Sequence, residues 1–141
     1  MKAAVVDASV ALKWVIEEAH SDRAILLLTY EALHAPDHWQ AEAVNVLWAK
    51  LVRGDLSVAD AEERMDVLAR SPIVGAPISR LMASAFSIAA ASRVTIYDSL
   101  YAALAQRLEV PLVTADRKLV RSLSNDKALA RRVIWIGDLA P

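Results

Sequence analysis

The chain has 141 residues and a mass of 15.4 kDa, enough for one real core and too little for two comfortable domains, so a single domain over residues 1–141 is expected. Hydrophobic residues make up 56% and mean hydropathy is +0.32, yet no apolar run approaches the roughly 20 residues of a membrane span, which points to a large core and a buried interface. A net charge of -1 gives no overall electrostatic case for nucleic acid, and the lack of cysteine excludes disulfides and thiolate metal sites. Asp7, Lys13 and Glu17-Glu18 interrupt any signal-peptide core, so a cytoplasmic protein is expected.

Residues 2–6 form a short apolar run stopped by Asp7, the pattern of a buried parallel strand feeding a helix. That helix is expected over residues 9–17, with Ser9 as its cap. Ser21-Asp22 offers a cap for a helix over residues 23–33, where Ile25, Leu26, Leu27, Leu28 and Leu33 make a broad apolar face. His34-Ala35 reads as a short strand, Pro36-Asp37 as the opening of a longer helix to Val52, and Gly54 as its stop. Ser57-Val58-Ala59-Asp60 is a capping box with aspartate in place of glutamate, starting a helix to about Arg70. Residues 73–78 read as a strand whose Pro77 suits an edge or an end, and Ser79 as the cap of an alanine-rich helix to Ser92.

Val94-Thr95-Ile96 leads into a helix over residues 98–108, with Leu100, Tyr101, Leu104 and Leu108 at helical spacing. Residues 110–114 then repeat the opening device: an apolar strand, Ala115-Asp116, and a helix carrying Leu119, Val120 and Leu123. Residues 133–136 make a last strand before Gly137-Asp138. The alternation predicts an α/β fold with helices on both faces of a mostly parallel sheet.

Four acids stand out. Asp7 and Asp116 end strands, Asp98 opens a helix, and Glu42 sits among Ala41, Ala43, Val44, Val46 and Leu47 with no lysine or arginine within a helical turn. Singly, the aspartates read as helix-start residues favoured by the dipole, and Glu42 as part of a solvated stripe with Gln40 and Asn45. Together they suggest oxygen ligands around the crevice at the carboxyl ends of the strands, where open α/β sheets bind ligands. Such a set suits a hard cation that keeps some of its waters, Mg²⁺ with Mn²⁺ as a close substitute. The basic run Arg117, Lys118, Arg121, Lys127, Arg131 and Arg132 is either a solvated helix face or a set of phosphate contacts. His20, His34 and His38 lack ligand spacing, and Trp14, Trp39, Trp48 and Trp135 read as core or interface, with Trp14 beside Leu26-Leu27-Leu28 as a candidate partner surface.

Val5-Val6-Asp7-Ala8-Ser9, Glu42-Ala43-Val44-Asn45, the run from Tyr97-Asp98-Ser99 to Ala105, and Leu112-Val113-Thr114-Ala115-Asp116 resemble the successive signatures of PIN-domain nucleases. In order and spacing they are most similar to the VapC toxins of toxin–antitoxin pairs. The resemblance implies a PIN-like α/β/α sandwich with about five strands and a metal-dependent endoribonuclease. Asp7, Glu42, Asp98 and Asp116 are then the catalytic, metal-binding acids, and Ser9, Asn45 and Thr114 polar neighbours that orient carboxylates, water or phosphate. Arg117, Lys118 and Arg121 would meet RNA. Lys118 stands where some PIN domains carry a further acid, which leaves one metal or two open. A VapB-type antitoxin and a homodimer are the implied partners, with no membrane association. The competing readings are a non-catalytic PIN-like RNA-binding or interaction module, an aspartyl-phosphate receiver, and a haloacid-dehalogenase-like phosphatase. The receiver lacks an acidic pair after the first strand, and Ser9 occupies the place of the phosphatase's second aspartate.

Overall fold

The structure, a computed structural model, describes residues 2–141. Its centre is a sheet of β1 (Ala3–Val6), β2 (Ala32–Pro36), β3 (Ile73–Ala76), β4 (Leu112–Thr114) and β5 (Val133–Trp135), in the order β3-β2-β1-β4-β5. Every pairing is parallel. The helices are α1 (Ala8–Ala11), α2 (Ser21–Leu26), α3 (Trp39–Val52), α4 (Val58–Ala69), α5 (Met82–Ser92), α6 (Ile96–Leu108), α7 (Arg117–Leu123) and α8 (Lys127–Ala130).

The chain builds outward from β1 through β2 to β3, then returns to lay β4 along the other side of β1, with Val5 opposite Leu112 and Val6 opposite Val113. The strand order reverses between β1 and β4. Connections there diverge to opposite faces and open a crevice beyond the carboxyl ends of these two strands. Burial explains the near-continuous apolar runs, since neighbouring strand residues feed two cores. Val5 and Leu112 pack with Ala85, Ile88, Leu100 and Leu104 of α5 and α6. Ala4, Val6 and Val113 pack with Ala24 and Leu27, and with Ile136 and Leu139 near the C-terminus.

Several boundaries differ from expectation. The first helix stops at Ala11, continues as a tight 3-10 turn over Leu12–Trp14, and never reaches Glu17. Buried Lys13 ties the loop that follows, its Nζ donating to the Ala19 carbonyl at 2.6 Å and the Glu18 carboxylate at 3.1 Å. The second helix also ends early, and Leu33 belongs to β2, where it pairs with Ala4 and Ile73. Pro36 closes that strand rather than opening a helix. Its missing N–H breaks no bond to β1, whose last pairing with β2 is Val5 with His34, and the Asp37 N–H still donates to the Ala76 carbonyl at 2.8 Å. Ser79 lies in a 3-10 turn and caps nothing, and the helix begins at Met82. A short α8, capped by Asp126, divides the basic run.

Other local readings hold. Gly54 takes the left-handed conformation past the end of α3 (φ 85°), and Ser57 accepts the Asp60 N–H at 3.0 Å as the cap of α4. Pro77 directly follows β3, an edge strand. Among the described residues no helix is long and apolar enough to cross a membrane.

Candidate functional site

Asp7 leaves β1 with extended backbone and caps α1, its Oδ1 accepting the Val10 N–H at 3.3 Å. The same oxygen accepts the Ser9 hydroxyl, and Oδ2 accepts the hydroxyl of Thr114. Both hydroxyls also accept a hydrogen bond from β4's end: Ser9 Oγ from the Ala115 N–H and Thr114 Oγ1 from the Asp116 N–H, each at 3.1 Å. Ser9 is therefore not the helix cap expected from the sequence. It straps the end of β1 to the end of β4. Burial pushes the Asp7 carboxyl up to about 6, against the pull of these donors and with help from the charge of Asp98.

Asp116 does cap α7, its Oδ1 accepting the N–H groups of Lys118 at 2.9 Å and Leu119 at 3.2 Å. Its second oxygen has no partner among the described residues. Asp98 lies in the first turn of α6, behind the true cap Thr95, whose hydroxyl accepts the Asp98 N–H at 3.1 Å. Desolvation, then the charges of Glu42 and Asp116, hold the Asp98 carboxylate above the ordinary aspartate value. The Thr95 hydroxyl and the charge of His38 ease it toward ionisation.

Glu42 projects from α3, and its Oε1 accepts the Tyr101 hydroxyl at 2.6 Å and His38 Nε2–H at 3.0 Å. Desolvation works to raise its pKa, yet the two donors and the His38 charge together outweigh that and hold it below the ordinary value. Tyr101 is pushed far up by burial and by its bond to Glu42, so it remains a donor. His38 Nε2 also faces the Tyr97 carbonyl at 3.1 Å, and it carries its proton there between two acceptors. Sequence reasoning missed both donors. The signal was present in the spacing: His38 is one helical turn before Glu42, and Tyr101 one turn after Asp98.

The structure brings all four acids to one cleft of about 310 Å³, with Ser9, Asn45, Val46 and Tyr101 in its walls. Thr114 stands one step behind, fully buried. Arg117, Lys118 and Arg121 lie exposed on α7 outside the cleft, and the Arg117 guanidinium rests 3.6 Å over the Trp135 ring. A larger hollow of about 370 Å³, lined by Pro111, Ala128, Arg131 and Arg132, opens at the amino ends of β4 and β5 and contains no acid or nucleophile.

Among the described residues no three acidic or histidine side chains converge into a ready-made coordination set. The cleft offers carboxylate oxygens on several walls, coupled strongly enough that Glu42 and Asp116 raise Asp98. An all-oxygen, open and negative donor set fits a hard divalent cation that retains waters, and it offers no thiolate or free imidazole for a softer one.

The PIN domain family model matches residues 4–122. Ribonuclease VapC3 of Mycobacterium tuberculosis is 31% identical over 126 residues, covering 89% of this chain and 90% of that protein. A ribonuclease VapC3 of Pyrobaculum aerophilum is 30% identical over 118 residues, 82% of this chain and 90% of that one. The crystal structure of PAE2754 from Pyrobaculum aerophilum superposes with a TM-score of 0.71 at 25% identity, over 98% of this chain and 93% of that chain. VapC20 of Mycobacterium tuberculosis, described as a Sarcin-Ricin loop cleaving toxin, shares the fold with a TM-score of 0.63 at 12% identity, over 84% and 94%. With the motifs, the sheet order and these relatives in agreement, the chain belongs to the PIN-domain family, among the VapC ribonucleases.

Proposed function

We propose that this protein is a Mg²⁺-dependent endoribonuclease that hydrolyses RNA phosphodiester bonds, with Mn²⁺ able to substitute, and that it is the toxin of a type II toxin–antitoxin pair. The observation that carries this reading is that Asp7, Glu42, Asp98 and Asp116, from four separate elements, line one cleft at the switch point of the sheet. These four would hold the cation. When bound, it supplies charge neutralisation at phosphorus and an acidified water.

The chain's own residues do the positioning. Ser9, Thr114 and the Val10 N–H fix the Asp7 carboxylate, while Tyr101 and His38 occupy one oxygen of Glu42 and leave the other to the cleft. Asp98, held above the ordinary aspartate value, is the acid suited to accept a proton from an attacking water. Asn45 offers a polar contact to substrate or water from the cleft wall.

A homodimer and a VapB-type antitoxin are the proposed protein partners. Exposed Trp48, Val52, Phe86 and Leu28 supply apolar surface for such contacts. The cytoplasm is the proposed location. Membership of a ribonuclease family leaves the phosphoacceptor and phosphatase readings without support. The reading kept beside nuclease activity is a non-catalytic RNA-binding module.

The test is cleavage of total cellular RNA by the purified chain with Mg²⁺, with Mn²⁺ and with EDTA, beside Asp98→Asn. Metal-dependent fragments that vanish in the variant are expected. Identical results for both proteins, with metal binding by the wild type established, would leave the non-catalytic module.

A further inference from the structure

Trp135 ends β5 in register with Thr114, the residue that donates to Asp7. Its ring is held in place from several sides. His20 meets it edge-on at 5.0 Å and 77°, from a left-handed backbone conformation (φ 66°). Gly137 lies so close that a Cβ there would fall inside the ring's van der Waals envelope, so only glycine admits this placement. On the ring rests the Arg117 guanidinium, 3.6 Å from the centroid. Arg117 immediately follows Asp116, which lines the cleft. Its side chain is exposed and, among the described residues, donates no hydrogen bond and pairs with no acid.

A guanidinium held this close over an indole is immobilised without using its donors. The cost of ordering a long side chain is met before any ligand arrives, and the planar fork matches two oxygens of a phosphate. We infer that Trp135 and Gly137 form a shelf that pre-sets Arg117 to grip an RNA backbone phosphate next to the one in the carboxylate cleft. This rests on the ribonuclease reading. Arg117 is the contact residue, and Trp135 is a positioning residue that acts through it.

The experiment measures kcat and KM for cleavage of a fluorescently labelled single-stranded RNA in Mg²⁺, and binding of the same RNA by anisotropy in an Asp98→Asn background. Arg117→Ala is expected to raise KM and the binding constant Kd about tenfold with kcat little changed. It is also expected to reduce the salt slope of binding by about 0.7, as loss of one single-strand phosphate contact requires. Arg117→Lys keeps the charge but not the fork and is expected to raise KM and Kd as Arg117→Ala does while keeping most of the salt slope. Trp135→Leu and Gly137→Ala are expected to copy that loss, and Trp135→Phe, which keeps a ring face, to restore most of it. Wild-type behaviour of Arg117→Lys overturns the shelf while leaving the nuclease intact. An unchanged salt slope in Arg117→Ala overturns the phosphate contact. Should Trp135→Leu fail to fold, the Arg117 pair still decides. A wild-type chain that neither binds nor cleaves RNA removes the ribonuclease reading and the shelf with it.

Discussion

On the strand side of the cleft, Asp7 and Asp116 leave the ends of β1 and β4 and are held largely by backbone N–H groups and by hydroxyls strapped to those strands. On the helix side, Glu42 and Asp98 project from α3 and α6, and Glu42 is held by two side chains alone. The number of donors does not decide which carboxyl is easier to ionise. Asp7 accepts three hydrogen bonds and is still pushed up to about 6, because only 8% of the residue is exposed. Glu42 accepts two and is held down, because 36% of its side chain reaches solvent and its donors include a histidine. Depth of burial outweighs donor count when the group is fully dry. Asp7 is thus held rigidly and is reluctant to carry charge, whereas Glu42 is held in its charged form.

The largest effect is expected at Asp98. Asp98→Asn removes a charge that desolvation and two neighbouring carboxylates oppose. RNA cleavage is expected to fall by at least about a thousandfold. The metal-free variant is expected to melt no lower than the wild type; a clear drop in Tm would show that Asp98 supports the fold instead.

Next comes the pH dependence of the strand side. A carboxyl ordinarily near 3.8 and raised to about 6 in the fold contributes stability that is complete below pH 3.8 and lost as pH rises through 6, about 3 kcal/mol in all. Urea unfolding in EDTA is expected to show that decline, and Mg²⁺ to restore more stability at pH 7 than at pH 5. A flat profile would mean that Asp7 is better solvated than its burial indicates.

A smaller effect is expected from Tyr101→Phe, which leaves His38 as the sole donor to Glu42 Oε1 and raises the Glu42 pKa. Mn²⁺ affinity measured calorimetrically is expected to fall roughly ten- to a hundredfold. Unchanged affinity would remove Glu42 from the cation's surroundings. Smallest is Ser9→Ala, which leaves the Ala115 N–H and one Asp7 oxygen short of a partner and is expected to cost about 1 kcal/mol in urea unfolding. A loss within error would show that water replaces the strap.

The contrast between the two sides also marks what the sequence could tell. Asp7 and Asp116 were legible because an apolar run cut short by an acid announces a strand end before any tertiary contact is known. Of the helix-side donors, His38 was signalled by its spacing one turn before Glu42, whereas Tyr101 acquires its meaning only when α3 and α6 lie side by side. Ser9 looked like a cap because serine caps well, but Asp7 is an equally good cap and stands one residue before the helix. Leu33 reads as helical because a run of leucines has no period of its own. Its strand identity comes from pairing with residues far away in the chain.

The sheet order has a consequence for timing. A ribosome that has delivered α6 has supplied Asp7, Glu42 and Asp98, but β1 still has a bare edge where Val5 and Val6 await Leu112 and Val113. Asp7 then also lacks the hydroxyl of Thr114. Because the strand beside the oldest segment is made nearly last, the assembled cleft arrives in a single late event rather than accumulating along the nascent chain.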